Sequence, residues 1–125
     1  MIANKRTGKV LARDYVWCKN SVSKARGLMF RREAVPLLMD FSRERRRGLH
    51  MCFVFFPIDV AFMDSEGRVV EIKEDFRPFT TYKPGQKSKY ILELPAGTIG
   101  TTKTRVGDHL KIYKGKVSPS EQKGA

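Results

Sequence analysis

Leu49-His-Met-Cys-Phe-Val-Phe-Phe-Pro-Ile-Asp-Val-Ala-Phe-Met63 decides how the rest of the chain is read. It is rich in Phe, Val and Ile and too apolar to face water on either side, as a central β-strand would be. It is also shorter than the roughly 20 apolar residues of a membrane helix, and Pro57 and Asp59 interrupt it. Pro57 has no N–H to give a ladder, so the run must break or bulge there into two strands. Asp64-Ser-Glu-Gly67 follows as a tight turn in which Gly67 can take positive φ. Residues 68–73 then return as the second arm of a hairpin.

Working outward, residues 89–94 alternate cleanly, with Tyr90, Leu92 and Leu94 on one face of a strand. Pro95-Ala-Gly97 ends it, Val106-Gly-Asp108 turns, and residues 109–113 form a last strand. Between the hairpin and residue 89 lies a long loop, residues 76–88, of the kind that often carries binding function. On the N-terminal side, residues 36–41 read as a buried strand and residues 42–48 as a charged hairpin loop. Residues 9–18 mix β-branched, aromatic and charged side chains like a half-buried strand. Ser21 or Ser23 can cap a short helix over residues 21–30, with Ala25, Leu28 and Met29 on one face. A further helical turn is expected near residues 98–103. The pattern predicts a mainly β fold: a small antiparallel β-barrel or sandwich of about seven strands with one short helix. Residues 1–116 form the single β domain, and residues 117–125 a flexible C-terminal tail.

At 125 residues the chain has length for one core. Its net charge of +12 is unevenly spread. Residues 1–50 hold thirteen Lys/Arg against four Asp/Glu, residues 51–72 one against four, and residues 73–125 eleven against five. Basic segments thus flank a neutral-to-acidic middle, a distribution that attracts polyanions or simply keeps the protein soluble. Residues 1–10 carry basic side chains with no apolar stretch behind them, unlike a signal peptide, so a cytoplasmic location is expected. Cys18 and Cys52 stand in no CxxC pattern and are read as reduced core thiols.

Four blocks carry a family likeness: Arg26-Gly-Leu-Met29; His50-Met51 through Pro57-Ile-Asp59-Val-Ala-Phe62 with Gly67-Arg-Val-Val70; Tyr90-Ile-Leu-Glu-Leu-Pro-Ala-Gly97; and Gly107-Asp108. In this order the chain resembles the prokaryotic domain of unknown function 192, also catalogued as uncharacterised protein family 0127. The resemblance spans roughly residues 9–113 and implies a compact β fold with one small helix and no assigned activity. Many family members have Trp-Met followed by Asn-Thr where this chain has His50-Met51 and Phe53-Val54.

Asp59 is the most informative single residue. A carboxylate in so apolar a run is costly unless paired or hydrogen-bonded. It is either a general base or ligand anchor with a raised pKa or, the favoured role, an acceptor for backbone N–H groups freed by a bulge after Pro57. His50 is its natural candidate partner, and Glu93 and Asp108 are the other carboxylates that could join it in a ligand site. Their wide spacing makes a hard-cation site a poor fit, and turn-forming carboxylates are the default. His50 and Met51 point to opposite faces of a strand and cannot readily share a metal. No nucleophile elbow or phosphate loop is present. No metal or other cofactor is expected.

The second candidate surface is the 73–89 loop, where Arg77, Phe79, Tyr82, Lys83 and Lys87 interleave rings and charges as single-strand binders do. Arg45 and Arg46 could add phosphate contacts. Three readings follow in order. The first is a non-enzymatic binding domain with a polar site near Asp59 and His50, taking a small ligand or peptide and no membrane. The second is a weak, sequence-tolerant single-stranded RNA or DNA binder, and the third an enzyme of unknown chemistry.

Overall fold

The computed structural model describes residues 1–19, 32–51 and 53–113. Ten strands lie among the described residues: β1 (Ile2–Asn4), β2 (Val10–Ala12), β3 (Val16–Cys18), β4 (Leu37–Arg45), β5 (Leu49–His50), β6 (Ile58–Met63), β7 (Val69–Phe76), β8 (Thr81–Tyr82), β9 (Ser88–Pro95) and β10 (Leu110–Ile112). One short helix, α1 (Thr98–Thr102), separates β9 from β10. The helix expected over residues 21–30, Cys52 and the tail all fall outside the described residues.

The architecture is a layered sandwich, not a closed barrel. A five-stranded sheet, in the order β3-β4-β9-β6-β7, forms the middle layer. The sheet β10-β1-β2 covers one of its faces. Ile2, Leu11, Tyr15 and Leu110 pack there against Leu38, Ala61, Met63, Leu92 and Leu94, with Ile99 of α1 closing one end. The β5–β8 ribbon and the chain around Val54 cover the other face, over Leu37, Met39, Ile58, Val60, Phe62 and Ile91. With a core on each side, β6 is buried at all six positions, which is why its sequence is apolar throughout rather than alternating.

The hairpin around Gly67 forms as expected: Gly67 sits at φ 83° and donates to the Asp64 carbonyl. A Cβ there would lie 2.8 Å from the Leu110 carbonyl oxygen, so glycine is required for two reasons. Other expectations need correction. The sheet is mixed, because β3 pairs with β4 in parallel. The 9–18 segment is two strands, β2 and β3, each pairing with different neighbours. The arginine-rich stretch is a loop only over residues 46–48, since β4 runs on to Arg45, which pairs with Ser88 across a bulge. Its last four residues are exposed, so solvation replaces burial as the reason those side chains are tolerated in a strand. The long 76–88 loop likewise contains β8, whose register with β5 is Leu49 with Tyr82 and His50 with Thr81.

Candidate functional site

Asp59 lies on β6, 1% exposed, on the face shared by Ala61 and Met63. Its carboxylate is fully engaged by backbone. Oδ1 accepts from Asp75 N–H at 2.9 Å, and Oδ2 accepts from Gly97 and Ile99 N–H, both at 3.0 Å. The bulge that frees Asp75 N–H is in β7, not after Pro57 as expected. The pairing steps from Ile58 with Phe76 to Val60 with Lys73, leaving Glu74 and Asp75 opposite Asp59, with Asp75 at φ 50°. The other two donors belong to the start of α1. One carboxylate therefore ties three segments together, the structural role favoured from the sequence.

The other polar candidates do not gather around it. His50 is exposed on the separate β5–β8 ribbon. Asp108 is buried in a second network, accepting from Arg6 Nε at 2.6 Å, Arg6 Nη2 at 3.0 Å, Asn4 Nδ2 at 2.9 Å and Arg105 N–H at 2.8 Å. The Arg6 guanidinium beside it, helped by Asn4 and Arg105, holds its carboxyl well below the usual carboxylate range. Glu93 pairs with Leu37 and Val60 and so faces the opposite core from Asp59. It is 7% exposed, no cation among the described residues pairs with it, and desolvation pushes its carboxyl up to about 7. Among the described residues no three His, Cys, Asp or Glu side chains are placed to hold a metal ion.

The aromatic and basic candidates divide differently. Tyr82, expected as a stacking ring, is turned inward: it contacts the rings of Phe62 and Phe76 at 5.9 and 6.2 Å between centroids. Its hydroxyl donates to Glu71, which pushes the phenol up to about 12. Glu71 also accepts from Gly85 and Gln86 N–H at 2.8 and 2.9 Å, so this carboxylate pins the following loop to β7. Phe79 behaves in the opposite way. It is 60% exposed and makes edge-to-face contacts with Phe53 at 6.5 Å and Phe55 at 5.7 Å, themselves 48% and 58% exposed.

These three rings form a ridge whose base is hydrogen-bonded backbone. Met51 N–H donates to the Thr80 carbonyl at 2.8 Å and Phe79 N–H donates to the Met51 carbonyl at 2.9 Å. Phe53 and Phe79 stand at φ 57° and 60°, a conformation L side chains seldom adopt. Phe53 and Phe55 escaped the sequence reading because the whole run was assigned to the core. The available signal was their alternation with Val54 and Phe56 just before the Pro57 break.

Arg77, beside the ridge, pairs with Asp75 at 2.8 Å, both side chains being more than half exposed. Lys83 is exposed at the far end of β8. Arg46 and Lys87 line one open crevice of about 450 Å³, shared with Glu44 and Asp64. Arg45 lies one residue away on β4, opposite Ser88. Arg47 is committed to structure: it donates to the Ser88 and Arg43 carbonyls, both at 2.7 Å, and stacks over Phe41.

A mainly β sandwich with two cores, structural carboxylates and an exposed aromatic ridge is the class of protein described. The chain belongs to the DUF192 family, described as "Uncharacterized ACR", whose model matches residues 2–112. It is 32% identical to a UPF0127 protein of Thermococcus sibiricus over 113 residues, covering 88% of this chain and 73% of the relative. A UPF0127 protein of Pyrococcus furiosus is 32% identical over 110 residues, covering 86% and 94%. Two crystal structures share the fold. One, from Sinorhizobium meliloti and described as a "putative transcription regulator", has a TM-score of 0.73 at 27% identity over 78% of this chain and 79% of that one. The other, of unknown function from Novosphingobium aromaticivorans, has a TM-score of 0.80 at 20% identity over 89% and 83%.

Proposed function

We propose that the protein is a non-enzymatic binding domain whose recognition surface is the Phe53–Phe55–Phe79 ridge. The observation that carries this reading is that three large apolar rings, each about half exposed, are clustered on one surface. Contiguous exposed apolar groups of this kind mark interaction sites. The polar residues expected to make a site near Asp59 do not converge on it: Asp108 lies in its own network and Glu93 faces the opposite core. Asp59 serves the scaffold, and His50 lies with the ridge on the β5 side of the molecule, next to Met51. His50 therefore enters the reading as a rim residue of the ridge.

The test is native-state binding of anilinonaphthalenesulfonate, an anionic aromatic dye, to the folded protein and to Phe55→Ser and Phe79→Ser. The expected result is dye fluorescence that both substitutions abolish while the melting temperature stays within about 2 °C, because half-exposed rings contribute little to the core. Dye binding unaffected by the substitutions, or variants that unfold, would overturn the reading. The Sinorhizobium relative's description makes nucleic acid the first ligand chemistry to try.

A further inference from the structure

We infer that the Phe53–Phe55–Phe79 ridge is the base-stacking platform of a site for single-stranded nucleic acid, with Arg45, Arg46, Lys83 and Lys87 meeting the phosphates. This inference rests on the reading of the ridge as the recognition surface and names its ligand.

Phe55 and Phe79, 58% and 60% exposed, meet at 64°, so their edge contact leaves ring faces uncovered by each other, and Phe53 meets Phe79 edge-on at 74° as the flank of the platform. Every base has a π-face, and base–aromatic stacking tolerates any sequence. The hydrogen bonds between Met51 and residues 79 and 80 fix the backbone beneath Phe79, so that ring's position is set before the ligand arrives. The β5–β8 ribbon then leads from rings to charges. Phe79 and Met51 mark one end, and Tyr82 opposite Leu49 marks the other, where Lys83 and, beyond Arg47, Arg46 and Arg45 follow along the chain. Residues 79 to 83 span about 13 Å at strand spacing, room for a short run of nucleotides.

Charge selects among occupants. Arg77 and Lys89 are paired with Asp75 and Asp40 and Arg47 is held by carbonyls, while Lys83, Lys87, Arg45 and Arg46 stand outside any ion pair among the described residues and give this side its positive charge. A second copy of the chain would bring its own +12 to this surface and be repelled. A polyanion carrying flat apolar groups satisfies both halves at once.

The experiment is fluorescence anisotropy of a fluorescein-labelled fifteen-nucleotide oligothymidylate with the full chain, between 50 and 200 mM salt. Micromolar binding at low salt is expected, weakening at least tenfold over that range as counterions are released. Phe55→Ala and Phe79→Ala should each weaken binding about tenfold with the salt slope unchanged. Arg45→Ala combined with Arg46→Ala should flatten the slope. No oligonucleotide binding by protein that still binds the dye overturns the ligand and leaves the ridge as a surface for something else. Loss of dye binding as well overturns the surface itself. Oligonucleotide binding that the phenylalanine substitutions leave unchanged reduces the interaction to charge and overturns the platform. Ridge-dependent binding to phosphatidylglycerol vesicles without oligonucleotide binding, or a dimer that Phe79→Ala dissolves, replaces the nucleic acid and overturns the inference.

Discussion

Ile99 N–H donates to Asp59 Oδ2 at 3.0 Å across 40 residues of chain, joining the first turn of α1 to the middle layer. Gly97 donates to the same oxygen and Asp75 to the other. Asp59 thus does from a neighbouring strand what a capping residue does from within a helix, since no side-chain cap is supplied by Gly97 itself. Asp59→Ala leaves three backbone donors without an acceptor and should cost about 3 kcal/mol. Asp59→Asn keeps an acceptor on one side but turns an amide donor toward a backbone donor on the other, so a loss of about half that is expected. Urea denaturation of both variants checks this, and a wild-type midpoint for Asp59→Ala contradicts it. His50→Ala, on another sheet, should add independently to Asp59→Ala.

Glu93 gives the fold a pH dependence of defined sign. Burial raises its folded-state value to about 7, above the ordinary carboxylate range. Below about pH 4 the side chain is protonated in both states and carries no charging penalty. As pH rises from about 4 through about 7 the unfolded chain ionises first, so stability falls, by roughly 3 kcal/mol over the whole window. Glu93→Gln should flatten that fall and leave the variant more stable than wild type at pH 8. Thermal melts across pH 4–8 read it out. Parallel profiles for the two proteins would contradict the assignment.

Asp108 works in the opposite direction. Its carboxyl is lowered, chiefly by the Arg6 hydrogen bond, so its contribution is present above the usual carboxylate range and is lost as pH falls. Arg6→Ala and Asp108→Asn should each lower the melting temperature at pH 6, by a margin that narrows steadily as pH falls below about 4. A difference that persists undiminished at low pH would show that packing, not the charge, is what each substitution removes.

These sites show how far the sequence could be read. Gly67 and its turn, the hairpin β6–β7 and the alternation of β9 are local features, set by backbone chemistry within a few residues. The need of Asp59 for backbone partners was also legible, because desolvation cost depends on composition around the residue. Which backbone would supply them was not, since two donors come from a helix start some 40 residues later. Phe53 and Phe55 could not be separated from core residues by hydrophobicity, because a core and a binding ridge use the same side chains. The exposed end of β4 was hidden for the converse reason: charge reads as loop, though an outward-facing strand end tolerates it equally well.

The most direct test of the central claim is an amide and aromatic-ring NMR titration of the isotope-labelled chain with oligothymidylate. The account predicts shifts concentrated at the rings of Phe53, Phe55 and Phe79 and at the amides of Thr80, Thr81 and Lys83, with Asp59, Gly97 and Ile99 unmoved. Shifts centred on the Asp59 and Gly97 amides, or spread evenly over every exposed Lys and Arg with the three rings silent, would contradict it.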